Sequence, residues 1–232
     1  MSAAARVALV TGAASGIGAS IASHLRREGF LVAGFDLAPS DCDLSLEGDV
    51  SDGAVVAAAV AHAQRELGPI AAAINVAGYY EMLAISDITQ AQWDRMLTVH
   101  LGGLFNLTKA VLPGMVELGT GSLVAITSEL AIGGGDHDAH YAAAKGAILG
   151  FVRSLAVEVA PAGIRVNAVA PGPCDTPLLS ADSPWRDRAY LDTLPAQRLA
   201  DPSEIAVAVS YLINHDSFMV GETISVNSGA VI

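Results

Sequence analysis

Arg6-Val7-Ala8-Leu9-Val10-Thr11-Gly12-Ala13-Ala14-Ser15-Gly16-Ile17-Gly18 is the part of this sequence that is most informative about its architecture. Its first half is an apolar run typical of a buried strand, and three glycines follow within seven residues. Apolar residues then recur with helical spacing. Glycines at such a turn let the backbone approach a pyrophosphate closely, and the start of the following helix offers unpaired N–H groups. The glycine spacing differs from Gly-x-Gly-x-x-Gly, but the strand–loop–helix order predicts a nucleotide site.

The second predicted strand ends in the carboxylate of Asp36, eighteen residues after Gly18. A carboxylate at this position can accept hydrogen bonds from the ribose hydroxyls of NAD, and it repels the additional phosphate of NADP. No arginine or lysine occurs in residues 12–18 or 36–50, where a clamp for that phosphate would be expected. The alternative is that Asp36 only begins a turn before Pro39. We predict that NAD(H) is preferred over NADP(H).

Tyr141 and Lys145 are four residues apart in an apolar helical run, and the chain contains only one other lysine. This spacing places both side chains on one face of a helix, about one turn apart. An ammonium group near a phenol favours the phenolate and lowers a pKa that is ordinarily about 10. A phenol of this kind can exchange a proton with an alcohol or a carbonyl oxygen. The alternative interpretation of the spacing is an ordinary surface pair.

Strands and helices alternate along the chain without an intervening linker. The sequence predicts strands at 6–11, 31–36, 70–76, 121–128 and 164–170, and helices at 55–67, 90–118 and 141–159. Alternation of this kind implies right-handed crossovers, and therefore a single-domain, Rossmann-like α/β fold with a doubly wound parallel sheet and helices on both faces. We expect one domain over 1–232, with a mainly cofactor-binding half at 1–120 and a catalytic and substrate-binding half at 121–232. Pro113 is expected to kink or end the third helix.

The segment 171–202 interrupts this alternation and is rich in proline. A segment of this length inside a compact domain is usually functional or mobile. We interpret it as a lid over the substrate. The alternative is a surface excursion that serves subunit contacts.

Together these features resemble the short-chain dehydrogenase/reductase family, and the resemblance covers nearly the whole chain. The matching motifs are Thr11 to Gly18, Asp49-Val50, Asn75-Val76-Ala77-Gly78, Ser128 thirteen residues before Tyr141, Pro171-Gly172 with Thr176, and the closing stretch Thr223 to Gly229. Their order along the chain is that of the family. The resemblance also suggests a homo-oligomer, a tetramer or a dimer, built on long helices.

The resemblance implies an NAD(H)-dependent oxidoreductase that interconverts a secondary alcohol and a ketone. In this interpretation Tyr141 is the general acid/base, Lys145 lowers its pKa and holds the nicotinamide ribose, and Ser128 stabilises the reacting oxygen. The predicted cofactor contacts are Gly12, Ser15, Gly16, Ile17, Gly18, Asp36, Asp49, Val50, Asn75, Ala77, Gly78, Tyr141, Lys145, Pro171, Gly172 and Thr176. The alternative is a non-catalytic NAD(H)-binding sensor or scaffold of the same fold, which would have no need of the intact serine, tyrosine and lysine.

His100 departs from the family pattern, because the family usually has an asparagine at the aligned position. That asparagine helps to hold a water that links the lysine to solvent. A histidine can donate and accept hydrogen bonds and could serve similarly as a catalytic residue. The alternative is a packed core histidine, since Trp93, Met96 and Leu104 lie on the same helical stripe.

The formal net charge is −12, with 12 basic residues against 24 acidic ones. This balance argues against nucleic-acid binding, which needs lysine and arginine to neutralise phosphates. It also disfavours substrates tethered to an acidic carrier protein. We expect a small-molecule alcohol or ketone instead, and a polar one, because Glu129, Asp136 and His137 are close in sequence to Ser128.

Composition also bears on the compartment. Hydrophobic residues make up 52% of the chain, yet no run approaches the length of about 20 apolar residues that a membrane span needs. The first strand starts by about Arg6, so we expect no signal peptide. Cys42 and Cys174 are too few for a disulfide framework, and a cytoplasmic protein is the simplest expectation. His137 and His140 lie among aspartates, but the preceding glycines indicate a loop, and no metal site is predicted.

Overall fold

The computed structural model describes residues 5–214 and 218–231. Its centre is a sheet of seven parallel strands in the order β3-β2-β1-β4-β5-β6-β7. The strands are β1 (Val7–Thr11), β2 (Leu31–Asp36), β3 (Leu44–Glu47), β4 (Ile70–Asn75), β5 (Gly121–Ile126), β6 (Ile164–Pro171) and β7 (Thr223–Val226). The helices are α1 (Gly16–Arg27), α2 (Gly53–Leu67), α3 (Gln90–Leu97), α4 (Gly103–Leu118), α5 (Leu130–Gly133), α6 (Ala139–Val159), α7 (Arg188–Leu191) and α8 (Pro202–Asn214).

The alternation of side chains along β1 explains why helices cover both faces of the sheet. Val7 and Leu9 belong to a core cluster that also contains buried residues of α2, α4 and α6. Ala8 and Val10 belong to a second cluster, on the other face, with buried residues of α1 and α8. A parallel strand buried on both faces has to be apolar throughout, as this one is. The predicted doubly wound α/β fold is confirmed.

The order of the strands fixes where a ligand can bind. From β1 the chain proceeds outward through β2 to β3, and it then returns to place β4 on the opposite side of β1. Ligands of open α/β sheets bind beyond the carboxyl ends of the strands at such a reversal. The loops that follow β1 and β4 therefore border the candidate site.

The helix predicted over 90–118 is interrupted, but not at the proline. A π-helical segment, Thr98–Gly102, separates α3 from α4, and it contains His100. Pro113 lies inside α4 and does not end it. Buried Val111 and Met115 hold the turns on both sides of this proline against the core, which favours a continuous helix. The prediction from the sequence did not include β3 or α8. The strand predicted over 121–128 is shorter than expected, because β5 ends two residues before Ser128.

The segment 171–202 is folded against the body of the protein. It contains a 3-10 turn, Pro184–Arg186, and the short helix α7. Its two ends are joined by a bridge between Cys174 and Ala200. Arg186 stabilises the middle of the segment. The guanidinium of Arg186 donates to Asp175 at 2.7 Å and to the Leu179 carbonyl at 3.1 Å.

Candidate active site

One cavity of about 370 Å³ lies at the carboxyl edge of the sheet. The glycine-rich loop after β1 borders it, as do the loops after β4 and β5 and the start of the 171–202 segment. The predicted site residues that line it are Gly12, Ser15, Gly16, Ile17, Gly18, Asp36, Asp49, Val50, Ala77, Gly78, His100, Ser128, Tyr141, Lys145, Pro171, Gly172 and Thr176. The structure thus brings together residues separated by more than half of the sequence.

The glycine-rich loop has room only for glycine at its critical positions. Gly12 has a φ of +68°, and a Cβ there would lie 2.9 Å from the Ala77 backbone. A Cβ on Gly18 would lie 2.0 Å from the Gly12 carbonyl oxygen. The tight loop ends at Ser15, the N-cap of α1, whose side chain makes no capping hydrogen bond. The helix therefore presents its N–H groups towards the cavity, as an anion-binding helix start requires.

Asp36 lies at the end of β2, where the cavity meets the loop. One carboxylate oxygen accepts a hydrogen bond from the Ala14 amide at 2.9 Å, and the other accepts one from the Ala38 amide at 3.3 Å. These bonds fix the carboxylate at the edge of the cavity. The basic residues among those lining the cavity are Arg95 and Lys145. Neither of them follows β2, where a phosphate on the adenosine ribose would have to be bound.

Asn75 does not line the cavity, in contrast to the prediction for it as a cofactor contact. Asn75 is 2% exposed, and its side-chain oxygen, Oδ1, accepts a long hydrogen bond from the hydroxyl of Thr11 at 3.5 Å. The same hydroxyl accepts hydrogen bonds from the amides of Val76 and Ala77 at 3.0 and 3.1 Å. Asn75 and Thr11 therefore join the ends of β1 and β4. The next residue, Val76, lines the cavity instead of Asn75.

Ser128, Tyr141 and Lys145 meet at the end of β5. Tyr141 and Lys145 lie on the buried face of α6, with the Lys145 ammonium nitrogen 5.7 Å from the centre of the tyrosine ring. That nitrogen donates to the Ile126 carbonyl at 2.9 Å, while the hydroxyl of Thr127 donates to the Lys145 carbonyl at 2.8 Å. Ser128 is also buried, and its hydroxyl accepts from the Leu130 amide. The end of β5 thus holds all three groups in place.

The pKa of Tyr141 is raised, whereas the sequence analysis predicted that Lys145 would lower it. Burial raises the pKa of its phenol, and the charge of Glu129 raises it further, although the adjacent Ser128 hydroxyl opposes the shift. Burial also lowers the pKa of Lys145 to about 7. A dry environment disfavours the charged form of both groups. In this structure Lys145 therefore does not bring the pKa of Tyr141 below its usual value.

His100 is fully packed and contacts the other groups of the site. Its Nε2 lies 2.9 Å from the carbonyl oxygen and 3.3 Å from the amide of Tyr79, and its ring meets the Tyr141 ring edge-on at 5.5 Å. Its Nδ1 is buried without a hydrogen-bond partner. Burial lowers the pKa of His100 to about 3, so the ring is neutral near pH 7. It acts as a hydrogen-bonding group that anchors the loop after β4, and a catalytic role for it stays a prediction.

Sequence reasoning missed several aromatic residues that line the cavity. Tyr79 and Tyr80 follow Gly78 directly, and Trp185 reaches the cavity from the 171–202 segment. The Tyr80 hydroxyl donates to Asp138 at 2.7 Å and accepts from the Trp185 indole at 3.0 Å. The aromatic pair next to Gly78 was a usable signal, whereas the contact between Trp185 and Tyr80 was not, because the two residues are 105 positions apart in the sequence.

Glu129 lines the cavity, but Asp136 and His137 do not. In the latter two, the His137 Nδ1 and an Asp136 carboxylate oxygen lie 2.8 Å apart at the surface. Within the described residues no group of three histidine, cysteine or acidic side chains is placed to hold a metal ion. None of the helices described is long and apolar enough to cross a membrane.

Known proteins resemble this chain over nearly its whole length. A family model described as enoyl-(acyl carrier protein) reductase matches residues 12–231. The chain is 34% identical to the 3-oxoacyl-[acyl-carrier-protein] reductase of Vibrio cholerae, with 97% of this chain and 96% of that protein covered. It also resembles the solved structure of Thermoplasma acidophilum aldohexose dehydrogenase, with a TM-score of 0.90, 30% identity and coverage of 97% and 93%. A 3-ketoacyl-(acyl-carrier-protein) reductase from Brucella melitensis, solved with NADH, gives a TM-score of 0.92, 28% identity and 98% coverage of both chains.

Proposed function

The chain belongs to the short-chain dehydrogenase/reductase family of oxidoreductases, and we propose that it is an NAD(H)-dependent enzyme that interconverts a secondary alcohol and a ketone. The observation that carries this proposal is the single cavity in which the glycine-rich loop meets Ser128, Tyr141 and Lys145. A protein that only bound the dinucleotide would not need three hydroxyl and amine groups buried at the far end of its site. The substrate we propose is a small molecule.

The residues present fit a dinucleotide. The glycine loop packs so tightly that a Cβ on Gly12 or Gly18 would collide with neighbouring backbone, and the start of α1 supplies N–H groups for a pyrophosphate. Asp36 supports NAD over NADP, because a carboxylate at the end of β2 can accept from ribose hydroxyls, and neither Arg95 nor Lys145, the arginine and lysine among the described residues that line the cavity, follows β2 to receive a phosphate. Lys145 and Thr176 would hold the nicotinamide end. A bound nicotinamide supplies the hydride acceptor or donor, which the side chains themselves cannot provide.

Tyr141 is the proposed general acid/base. When a ketone is reduced its phenol gives a proton to the carbonyl oxygen, and when an alcohol is oxidised the phenolate takes that proton. Ser128 donates a hydrogen bond to the same oxygen and stabilises the charge that develops on it. Lys145 supplies positive charge to this dry site in its protonated form. Burial lowers the pKa of Lys145 to about 7, so its positive charge is present mainly below neutral pH. A bound ligand that carries negative charge would raise this pKa and keep the lysine charged at higher pH.

Three further proposals complete this function. The 171–202 segment acts as a lid over the substrate, since Leu178, Leu179 and Trp185 already form part of the cavity wall. The protein works as a homo-oligomer, a dimer or a tetramer. A cytoplasmic location follows from the small number of cysteines, both of which are free thiols.

The test is Tyr141→Phe, assayed by NADH formation with NAD and a panel of secondary alcohols, polyols and hydroxy acids. We expect turnover to fall by about 100- to 10,000-fold, the usual contribution of a general acid/base. NADH binding, measured by fluorescence, should stay within a few-fold of wild type. NADP in place of NAD tests the role of Asp36. Equal turnover by the wild type and Tyr141→Phe would refute the mechanism, and NADH binding without any turnover would favour the sensor role.

A further inference from the structure

Glu129 is a buried carboxyl group that the proposed mechanism does not use. It is 7% exposed, lines the cavity, and has one oxygen, Oε2, buried without a hydrogen-bond partner. None of the basic side chains in the described part of the chain forms an ion pair with it. A buried acceptor without a donor is costly, and native structures seldom contain one without a reason. A ligand that brings a donor would remove this cost.

The backbone fixes Glu129 beside the reacting groups. It directly follows Ser128, its amide donates to the Pro171 carbonyl at 3.0 Å, and its carbonyl accepts from the Gly133 amide at 2.8 Å. Its charge raises the pKa of the Tyr141 phenol on α6 and of Cys174 and Tyr190 in the 171–202 segment. The carboxyl group is therefore within electrostatic range of the proposed acid/base and of the segment that covers the substrate.

The surroundings of Glu129 favour a neutral donor over a cation. Burial raises the pKa of this carboxyl to about 7, and the charge of Asp138 acts in the same direction. Both protonation states are therefore accessible near neutral pH. A hydroxyl group can donate to the ionised carboxylate and accept from the protonated acid, whereas an ammonium group pairs only with the ionised form. A ketone or thioester oxygen, which only accepts, pairs only with the protonated form.

We propose that Glu129 is a specificity-determining residue that binds a second hydroxyl group of the substrate, next to the reacting carbon. The substrates are then vicinal diols or polyols and the corresponding hydroxy ketones, and not acyl thioesters. This inference rests on the proposed function. In the oxidation, bound NAD would accept the hydride from the C–H bond of the reacting carbinol, the Tyr141 phenolate takes the O–H proton as the C=O bond forms, and the second hydroxyl remains unchanged on Glu129.

The experiment compares matched substrates on the wild type, Glu129→Leu and Glu129→Gln. Initial rates with NAD are measured for cis-1,2-cyclohexanediol, D-glucose and cyclohexanol, and for acetoacetyl-CoA with NADH in the reverse direction. For the wild type we expect kcat/KM for the diol to exceed that for cyclohexanol by about 10- to 100-fold, the worth of one well-placed hydrogen bond to a buried group. Glu129→Leu should lose that preference, so that its ratio of kcat/KM for the diol to kcat/KM for cyclohexanol falls towards one; the ratio is compared because removal of the Glu129 charge near Tyr141 acts on both substrates alike.

Glu81→Gln is the control variant. Glu81 also has a buried oxygen without a hydrogen-bond partner, with His140 Nε2 3.9 Å away, but it does not line the cavity, so the diol preference should be unchanged. As a readout independent of turnover, cis-1,2-cyclohexanediol should raise the melting temperature of the NADH-loaded wild type and of Glu129→Gln, but not that of Glu129→Leu. Glu129→Gln keeps a hydrogen-bonding side chain of the same shape, so it tests the proposal even where the leucine variant fails to fold.

The outcomes separate this inference from the proposed function. Turnover of cyclohexanol or acetoacetyl-CoA at least as efficient as that of the diol and of D-glucose would refute the role of Glu129 and leave the oxidoreductase intact. An equal loss on diol and cyclohexanol in Glu129→Leu would also refute it, since that pattern indicates a general structural effect. Absence of Tyr141-dependent turnover with every compound, together with no stabilisation by the diol, would refute both.

Discussion

Glu129 and Lys145 are two ionisable side chains of the cavity whose pKa values move in opposite directions. Burial raises the pKa of the glutamate to about 7 and lowers that of the lysine to about 7. In both cases the dry surroundings favour the neutral form. The site therefore combines an acid and a base that change charge near neutral pH. Ligands that bring charge or hydrogen-bond donors can shift the pKa of either group.

The raised pKa of Glu129 predicts a defined pH dependence of stability. The folded protein binds a proton at Glu129 more tightly than the unfolded chain does between the ordinary glutamate pKa of 4.5 and the folded pKa of about 7. The stability that this proton contributes is complete below pH 4.5 and is lost as pH rises through about 7. Glu129→Gln lacks this dependence.

We therefore expect Glu129→Gln to become progressively more stable relative to the wild type as pH rises from 4.5 to about 7, with a constant difference above that. Urea denaturation of both proteins across this interval provides the measurement. Glu81→Gln is again the control. A difference between Glu129→Gln and the wild type that does not change with pH would contradict the raised pKa of Glu129.

His100 yields a second prediction at the level of single residues. Its Nε2 pairs with the backbone of Tyr79, and the ring sits over Gly78, where a Cβ would lie 2.3 Å from the His100 Cε1. His100→Leu removes the partner of a partly buried backbone group and should lower the free energy of unfolding by about 1–3 kcal/mol. His100→Asn, which introduces the family's residue, should retain more of that stability because a carboxamide can pair with the same backbone. Equal losses in the two variants would show that hydrogen bonding to Tyr79 is not what His100 provides.

Among the elements, the 171–202 segment is attached to the body through a chain of hydrogen bonds. Trp185 donates to Tyr80, and Tyr80 donates to Asp138, the residue before α6. The Tyr80 ring in turn meets the Tyr141 ring edge-on at 5.1 Å. The position of this segment is thus connected to the helix that carries Tyr141 and Lys145.

Trp185→Phe should loosen the 171–202 segment without disturbing the core. The variant keeps an aromatic ring but loses the indole donor to Tyr80, so KM should rise by about 3- to 10-fold, corresponding to one hydrogen bond. The kcat on the best substrate and the melting temperature should change little. Trp93→Phe on α3 is the matched control, since Trp93 does not line the cavity. An unchanged KM in Trp185→Phe would indicate that the hydrogen bond does not hold the segment over the substrate.

For the molecule as a whole, the long helices α4 and α6 carry exposed apolar side chains. Phe105 and Val116 on α4 are about half exposed, and Val157 on α6 is 75% exposed. Such residues are consistent with the homo-oligomer that we propose. Val157→Glu should then lower the mass observed in sedimentation, because a charge buried in an interface without a partner is costly. Val207→Glu on α8, at a side chain that is 56% exposed on the other side of the sheet, is the control. The same mass for all three proteins would place the interface elsewhere or indicate a monomer.

The fold could be predicted almost completely from the sequence because its signals are local. Each of these signals lies within a short stretch of sequence. Examples are the apolar strand before Gly12, the glycine spacing up to Gly18, and the four-residue spacing of Tyr141 and Lys145. Errors arose where packing competed with local preference, as at the π-helical segment around His100, and at Pro113, which does not end α4.

The class of the fold, the family, and most of the predicted side chains that line the cavity at the carboxyl edge of the sheet follow from the amino-acid sequence, whereas Tyr79, Tyr80 and Trp185 do not. Three features follow only from the packed structure: Asn75 turns away from the cavity, burial raises the pKa of Tyr141, and Glu129 is left with an unpaired oxygen. This division arises because periodicity and backbone sterics are properties of neighbouring residues. Burial and hydrogen-bond partners depend on elements far apart in the chain, as for Trp185 and Tyr80, and no local pattern specifies which of them will meet.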